Sequence, residues 1–126
     1  MTMLRILIVE DEFLIALDLE DLLTEFGYSV CGIASSADDA EQMAGELKPD
    51  LILTDIQLAR GSSGIEAARS IQARFHIPSV FLSAQAEECT QAEIAPMSLG
   101  CLQKPCLPSK LRSTLADAAR HVSRVA

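Results

Sequence analysis

Three observations predict an α/β fold, a doubly wound sheet of five parallel strands. Short β-rich runs alternate with amphipathic stretches along the whole chain, the pattern of βαβ units rather than of hairpins. The first run, Leu4 to Val9, is almost unbroken in aliphatic residues, as a central parallel strand covered on both faces requires. The 126 residues divide into five such units, too few for an eight-unit barrel and suited to an open sheet.

The first strand ends abruptly at Glu10-Asp11-Glu12, and Ile15, Leu19, Leu22 and Phe26 then recur at helical spacing before Gly27, a residue suited to a C-terminal cap. Ser29 to Ala34 forms the second strand. Ser36, with Asp39 three residues on, opens a second helix whose buried stripe is Ala40, Met43 and Leu47, and Pro49 closes it. Leu51 to Thr54 is a third strand ending at Asp55; a loop with Gly61, Ser62, Ser63 and Gly64 leads to a helix carrying Ala68, Ile71 and Phe75. Ser79 to Leu82 is the fourth strand and ends at Ser83. Pro96 and weak periodicity reduce the stretch from Ala84 to Leu99 to a short or mobile fourth helix. Gly100 to Gln103 is a brief fifth strand ending at Lys104-Pro105, and Leu111, Leu115, Ala118 and Val122 mark a last helix with Arg120, His121 and Arg124 at its C-terminal end.

The balance of 10 Lys+Arg against 18 Asp+Glu gives a net charge of −8, which repels phosphate backbones and disfavours nucleic acid as a partner. Any anionic substrate must then meet a local cation. No stretch reaches the ~18 apolar residues of a membrane span, and the N-terminal segment meets acid too early for a signal peptide, so a cytoplasmic chain is expected. In that setting Cys31, Cys89, Cys101 and Cys106 read as reduced thiols, and the isolated His76 and His121 offer no zinc-ligand spacing.

In an open parallel sheet, ligands bind beyond the carboxyl ends of the strands. Those ends deliver Glu10 and Asp11, Asp55, Ser83 and Lys104: three carboxylates, a hydroxyl and an ammonium from four strands. Each acid alone is an ordinary loop residue. Crowded together they repel unless a hard cation sits among them, and Mg²⁺ prefers such oxygen ligands. A carboxylate accepts a phosphoryl group when a metal and a cation neutralise the equatorial oxygens.

The ordered set ILIVEDE, PDLILTD, VFLSA and LQKP resembles the receiver domain of two-component response regulators over essentially all of residues 1–126. The resemblance implies the flavodoxin-like strand order 2-1-3-4-5. It also implies that Glu10 and Asp11 bind Mg²⁺ together with Asp55 and the backbone carbonyl of Gln57. Asp55 matches the phosphoacceptor, Ser83 the hydroxyl that turns toward the phosphoryl group, and Lys104 the lysine that pairs with it across a cis Lys104-Pro105 bond. A histidine kinase or histidine phosphotransfer protein is the implied donor. Its docking surface is expected on the first helix at Phe13, Leu14 and Leu17. With no effector segment in the sequence, the expectation is output through a downstream protein partner, a role as a phosphoryl intermediate or sink, or a fragment of a larger regulator; in each case the protein is expected to be a switch rather than an enzyme with turnover. The alternative is a degenerate receiver serving as an unphosphorylated scaffold, which would have no need of all five site residues. An aspartyl phosphatase is disfavoured because Gln57, not an acid, stands two residues after Asp55; an FMN carrier lacks its hydroxyl-rich phosphate loop.

Three features depart from the common receiver pattern. Cys101 stands three before the lysine, where an aromatic switch is usual, and reads as a packing thiol in preference to a redox sensor. The loop IQLARGSSG replaces the usual proline-glycine turn. The irregular stretch from 84 to 99 is a candidate bistable element in place of the aromatic. Together they resemble the atypical receivers of alphaproteobacterial stress-response regulators.

Overall fold

The computed structural model describes residues 3–58, 61–89 and 98–125. Among the described residues five strands and five helices alternate: β1 (Arg5–Val9), α1 (Phe13–Glu25), β2 (Ser29–Ala34), α2 (Ala37–Leu47), β3 (Leu51–Asp55), α3 (Gly64–Phe75), β4 (Ser79–Ser83), α4 (Ala86–Cys89), β5 (Ser98–Gln103) and α5 (Pro108–Val125). The sheet is parallel throughout, in the order β2-β1-β3-β4-β5. The expected doubly wound topology is therefore observed.

Alternate residues of each strand feed opposite faces, and the aliphatic runs explain why both are covered. Ile6, Ile8, Leu51, Leu53, Val80, Leu82 and Leu102 meet Ala16, Leu19 and Leu23 of α1 and Leu111, Leu115 and Ala118 of α5. On the other face Leu7, Val9 and Ile52 meet Ala40 and Ala44 of α2 and Ala67 and Ile71 of α3. A smaller cluster of Ile56, Ala68 and Phe81, with Cys101 against it, fills the space under the carboxyl end.

The element limits follow local chemistry. The Ser36 hydroxyl accepts from the Asp39 amide and the Ser63 hydroxyl from the Glu66 amide, so α2 and α3 start at N-caps. Gly27, at φ +96°, follows the α1 C-cap Phe26 in a region that side chains disfavour. Lys48 and His76 take left-handed conformations at the ends of α2 and α3 without being glycine, which periodicity could not foretell.

The sequence expectations at α1 and β5 need adjustment. The buried stripe of α1 is Ala16, Leu19 and Leu23, while Ile15, Leu22 and Phe26 are half-buried at its flank; a helix laid across a twisted sheet turns a slightly rotated face inward. β5 starts at Ser98, two residues before Gly100, because pairing with Ser79 begins there. The short fourth helix expected after Ser83 is described over Ala86–Cys89, and residues 90–97, including Pro96, lie outside the described residues.

Gly64 shows how the fold positions the site. A Cβ at Gly64 would overlap the Asp55 backbone carbonyl, so only a glycine lets α3 start against the end of β3. Gly64→Ala is expected to destabilise the protein by about 1–3 kcal/mol, as overpacking against backbone does. A urea midpoint unchanged from wild type would contradict that close approach.

Candidate functional site at the carboxyl edge of the sheet

The strand ends bring the expected polar groups together. Glu10 follows β1, Asp55 ends β3, Ser83 ends β4 and Lys104 follows β5. Backbone pairing fixes their alignment: the Ile56 amide donates to the Leu82 carbonyl and the Lys104 amide to the Ser83 carbonyl at 2.7 Å. Consecutive strands thus present Asp55, Ser83 and Lys104 side by side.

Carboxylate oxygens of Glu10, Asp11 and Asp55 all lie within 4.8 Å of one another. Glu10 and Asp55 are buried, whereas Asp11 is exposed. Lys104 Nζ donates to Asp55 Oδ2 at 2.9 Å and lies 3.4 Å from Glu10 Oε2. Burial works against the Lys104 ammonium, but hydrogen bonding and attraction from Asp55, then Glu10, outweigh it and raise its pKa. Glu10 lies in the opposite situation. Burial first, and repulsion from Asp55 second, raise its pKa from 4.5 to about 7, Lys104 offsetting only part of this.

That shift makes a testable pH dependence. A raised carboxyl pKa means that the folded chain holds the proton more tightly than the unfolded chain, so the stabilisation is complete below pH 4.5 and is lost as pH rises to about 7. In EDTA-containing buffer the urea midpoint of wild type is expected to fall between pH 5 and 8 relative to that of Glu10→Gln. Parallel pH profiles for the two proteins would contradict the strained carboxylate.

Three carboxylates against one ammonium form an all-oxygen donor set with uncompensated negative charge, which fits a hard divalent cation. Gln57, the fourth expected ligand, is exposed, and its pairing with Ser63 runs through bonds of the flanking Ile56 carbonyl and Leu58 amide, leaving its own carbonyl outside that bridge. Its side chain turns elsewhere: Nε2 donates to Glu88 Oε2 at 3.1 Å.

Glu88 is the polar residue of the site that the sequence reading missed. Its Oε1 accepts from Ser83 Oγ at 2.6 Å, and its side chain is buried. Ser83, fully buried, also accepts from the Gln85 amide at 3.0 Å. A spacing of five between hydroxyl and carboxyl matches no capping motif, so no local pattern marks Glu88.

The cysteine expectation is half corrected. Cys31 and Cys106 are free thiols, with pKa values pushed up chiefly by burial. Cys89 and Cys101, expected as reduced thiols, are joined in a disulfide with Cα atoms 5.7 Å apart. The cause is tertiary: β5 sets Cys101 beside Phe81, and α4 packs over β4 and β5 with Cys89 facing it.

The profile of the response regulator receiver domain matches residues 6–116. Phyllosphere-induced regulator PhyR of Methylorubrum extorquens is 40% identical over 115 residues, covering 90% of this chain and 43% of that protein. The solution structure of the Erythrobacter litoralis PhyR receiver domain superimposes with a TM-score of 0.84 at 37% identity, over 93% of this chain and 90% of that one. The crystal structure of the anti-anti-sigma factor PhyR from Bartonella quintana gives 0.86 at 34% identity, over 99% of this chain and 51% of that one. The chain thus spans less than half the length of the curated PhyR that it matches. Fold, strand-end chemistry and these similarities converge: the chain belongs to the response regulator receiver-domain family of two-component signalling.

Proposed function

We propose that the protein is a phosphorylatable receiver that takes a phosphoryl group on Asp55 from a histidine kinase or histidine phosphotransfer protein. The observation that carries this reading is the Lys104 ammonium held 2.9 Å from Asp55 Oδ2 beside Glu10 and Asp11. An Asp55 carboxylate oxygen attacks the phosphorus of a phosphohistidine; the P–N bond breaks, the imidazole leaves, and Asp55 becomes an acyl phosphate. Lys104 keeps further N–H donors for the phosphoryl oxygens, and it is the local cation that an acidic surface requires. Ser83 donates its hydroxyl to a phosphoryl oxygen once it leaves Glu88. Glu10, Asp11, Asp55 and the Gln57 carbonyl would hold Mg²⁺. The ion would supply neutralisation of the negative charge on the transferred group.

The donor is read as docking at the start of α1, where Phe13 and Leu14 are 67% and 76% exposed. Leu17, the third residue expected there, is half-buried. Leu107, 60% exposed, follows β5 at the same carboxyl edge of the sheet. Output runs through a protein partner, a reading supported by the anti-anti-sigma designation of the Bartonella quintana PhyR. Among the described residues no helix is long and apolar enough to cross a membrane.

Intact-mass measurement after incubation with acetyl phosphate and Mg²⁺, followed by peptide mapping, tests the assignment. One phosphoryl group on the peptide containing Asp55 is expected. A label mapped elsewhere, or none, overturns it.

A further inference from the structure

We propose that Cys89 and Cys101 form a reversible redox couple whose oxidised form clamps Glu88 onto the Ser83 hydroxyl and so slows the receiver's response. The effect on phosphorylation rests on the Asp55 reading above; the clamp itself does not.

The structure describes α4 over Ala86–Cys89, packed against β4 and β5. Among its described residues, Glu88 and Cys89 both tie it to neighbouring elements. Glu88 bonds Ser83 Oγ at 2.6 Å through one oxygen and Gln57 Nε2 at 3.1 Å through the other. The adjacent Cys89 is covalently joined to Cys101 in β5. Neighbouring Cα atoms lie ~3.8 Å apart, so while the disulfide is intact Glu88 has little freedom to withdraw from the carboxyl edge.

That restraint matters because Ser83 has one proton to donate. Its Oγ lies 2.6 Å from Glu88 Oε1 and 2.5 Å from the Gln85 carbonyl, and a proton held by these acceptors is not available to a phosphoryl oxygen. A phosphoryl group arriving at Asp55 would also repel the Glu88 carboxylate. The unclamped receiver relieves both conflicts by letting the α4 turn move outward, and the disulfide opposes that movement. Cys101 occupies the position where receivers of the common pattern carry an aromatic switch, so the covalent tie acts on the element that an aromatic otherwise would.

Oxidation joins the two sulfurs with loss of two protons and two electrons. A peroxide accepts these and becomes water and an alcohol or a second water; a low-molecular-weight disulfide accepts them and becomes two thiols. The bond joins α4 to β5 across a sequence separation of 12, and neither cysteine belongs to the main core, so the core packing of the sheet does not depend on it.

The test compares protein oxidised with glutathione disulfide and protein reduced with dithiothreitol, in wild type, Cys89→Ser, Cys101→Ser and Glu88→Ala. Peptide mapping of oxidised wild type is expected to recover a Cys89–Cys101 crosslink. Without phosphodonor, amides of residues 85–89 are expected to exchange at least tenfold faster in reduced wild type, and equally fast in both treatments of either serine variant. With acetyl phosphate and Mg²⁺, reduced wild type should label at least threefold faster than oxidised, while Glu88→Ala labels at one rate in both. Absence of the crosslink, or equal exchange in both forms, overturns the clamp. Unequal exchange with equal labelling overturns its control of the response and leaves the Asp55 reading standing. No label in either form, with unequal exchange, overturns the Asp55 reading and leaves the clamp supported.

Discussion

Replacing Asp55 by Asn is expected to abolish phosphoryl labelling by acetyl phosphate while leaving the protein folded. The carboxamide keeps the shape of the side chain but has no anionic oxygen to attack phosphorus. Stability changes little because two effects oppose. The 2.9 Å ion pair with Lys104 weakens, but Glu10 loses the second-largest influence raising its pKa, the repulsion from Asp55. We expect a urea midpoint within about 1 kcal/mol of wild type, on the scale of a single net hydrogen bond. Labelling of the Asn variant at wild-type stoichiometry would show that another group is the acceptor.

Replacing Lys104 by Ala has the second-largest consequence, and it should appear in two measurements. Asp55 and Glu10 are buried with this ammonium as their shared cation, and removing one partner of such a group leaves the others desolvated without compensation. Labelling by acetyl phosphate should slow by about 10²-fold, the usual cost of removing one preorganised charge-stabilising donor. Stability in metal-free buffer should fall by about 1–3 kcal/mol at pH 8, and by less at pH 5.5, where Glu10 carries its proton. An equal loss at both pH values would show that Lys104 acts through packing of its stem. Lys104→Arg should not restore the rate, because a planar guanidinium does not reproduce a compact ammonium between two carboxylates.

The parts of this molecule legible in the sequence are those governed by short-range rules. Aliphatic runs bounded by polar residues locate the strands, since burial on both faces requires nearly continuous apolar residues. The cap at Ser36 is visible because its partner amide is three residues away. Glu10, Asp11, Asp55, Ser83 and Lys104 are legible for a different reason: topology places every strand's carboxyl end at one edge, so position along the chain suffices to gather them.

Less legible were features set by the approach of separate elements. The rotated buried face of α1 depends on how that helix crosses a twisted sheet. Glu88 meets Ser83 only because α4 folds back over the end of β4, and Gln57 joins it from a different loop. Neither contact leaves a spacing that a linear reading detects.

The cysteines draw the boundary most plainly. From composition alone, the four thiols read as reduced. Tertiary structure sorts them, leaving Cys31 and Cys106 free and joining Cys89 to Cys101. By itself the sequence determined the sheet, its strand ends and the charged set they deliver, because periodicity and chain direction are local properties. Which cysteines meet, and which carboxylate holds the Ser83 hydroxyl, only the tertiary structure decided, because a bond between residues depends on where packing sets their backbones in space.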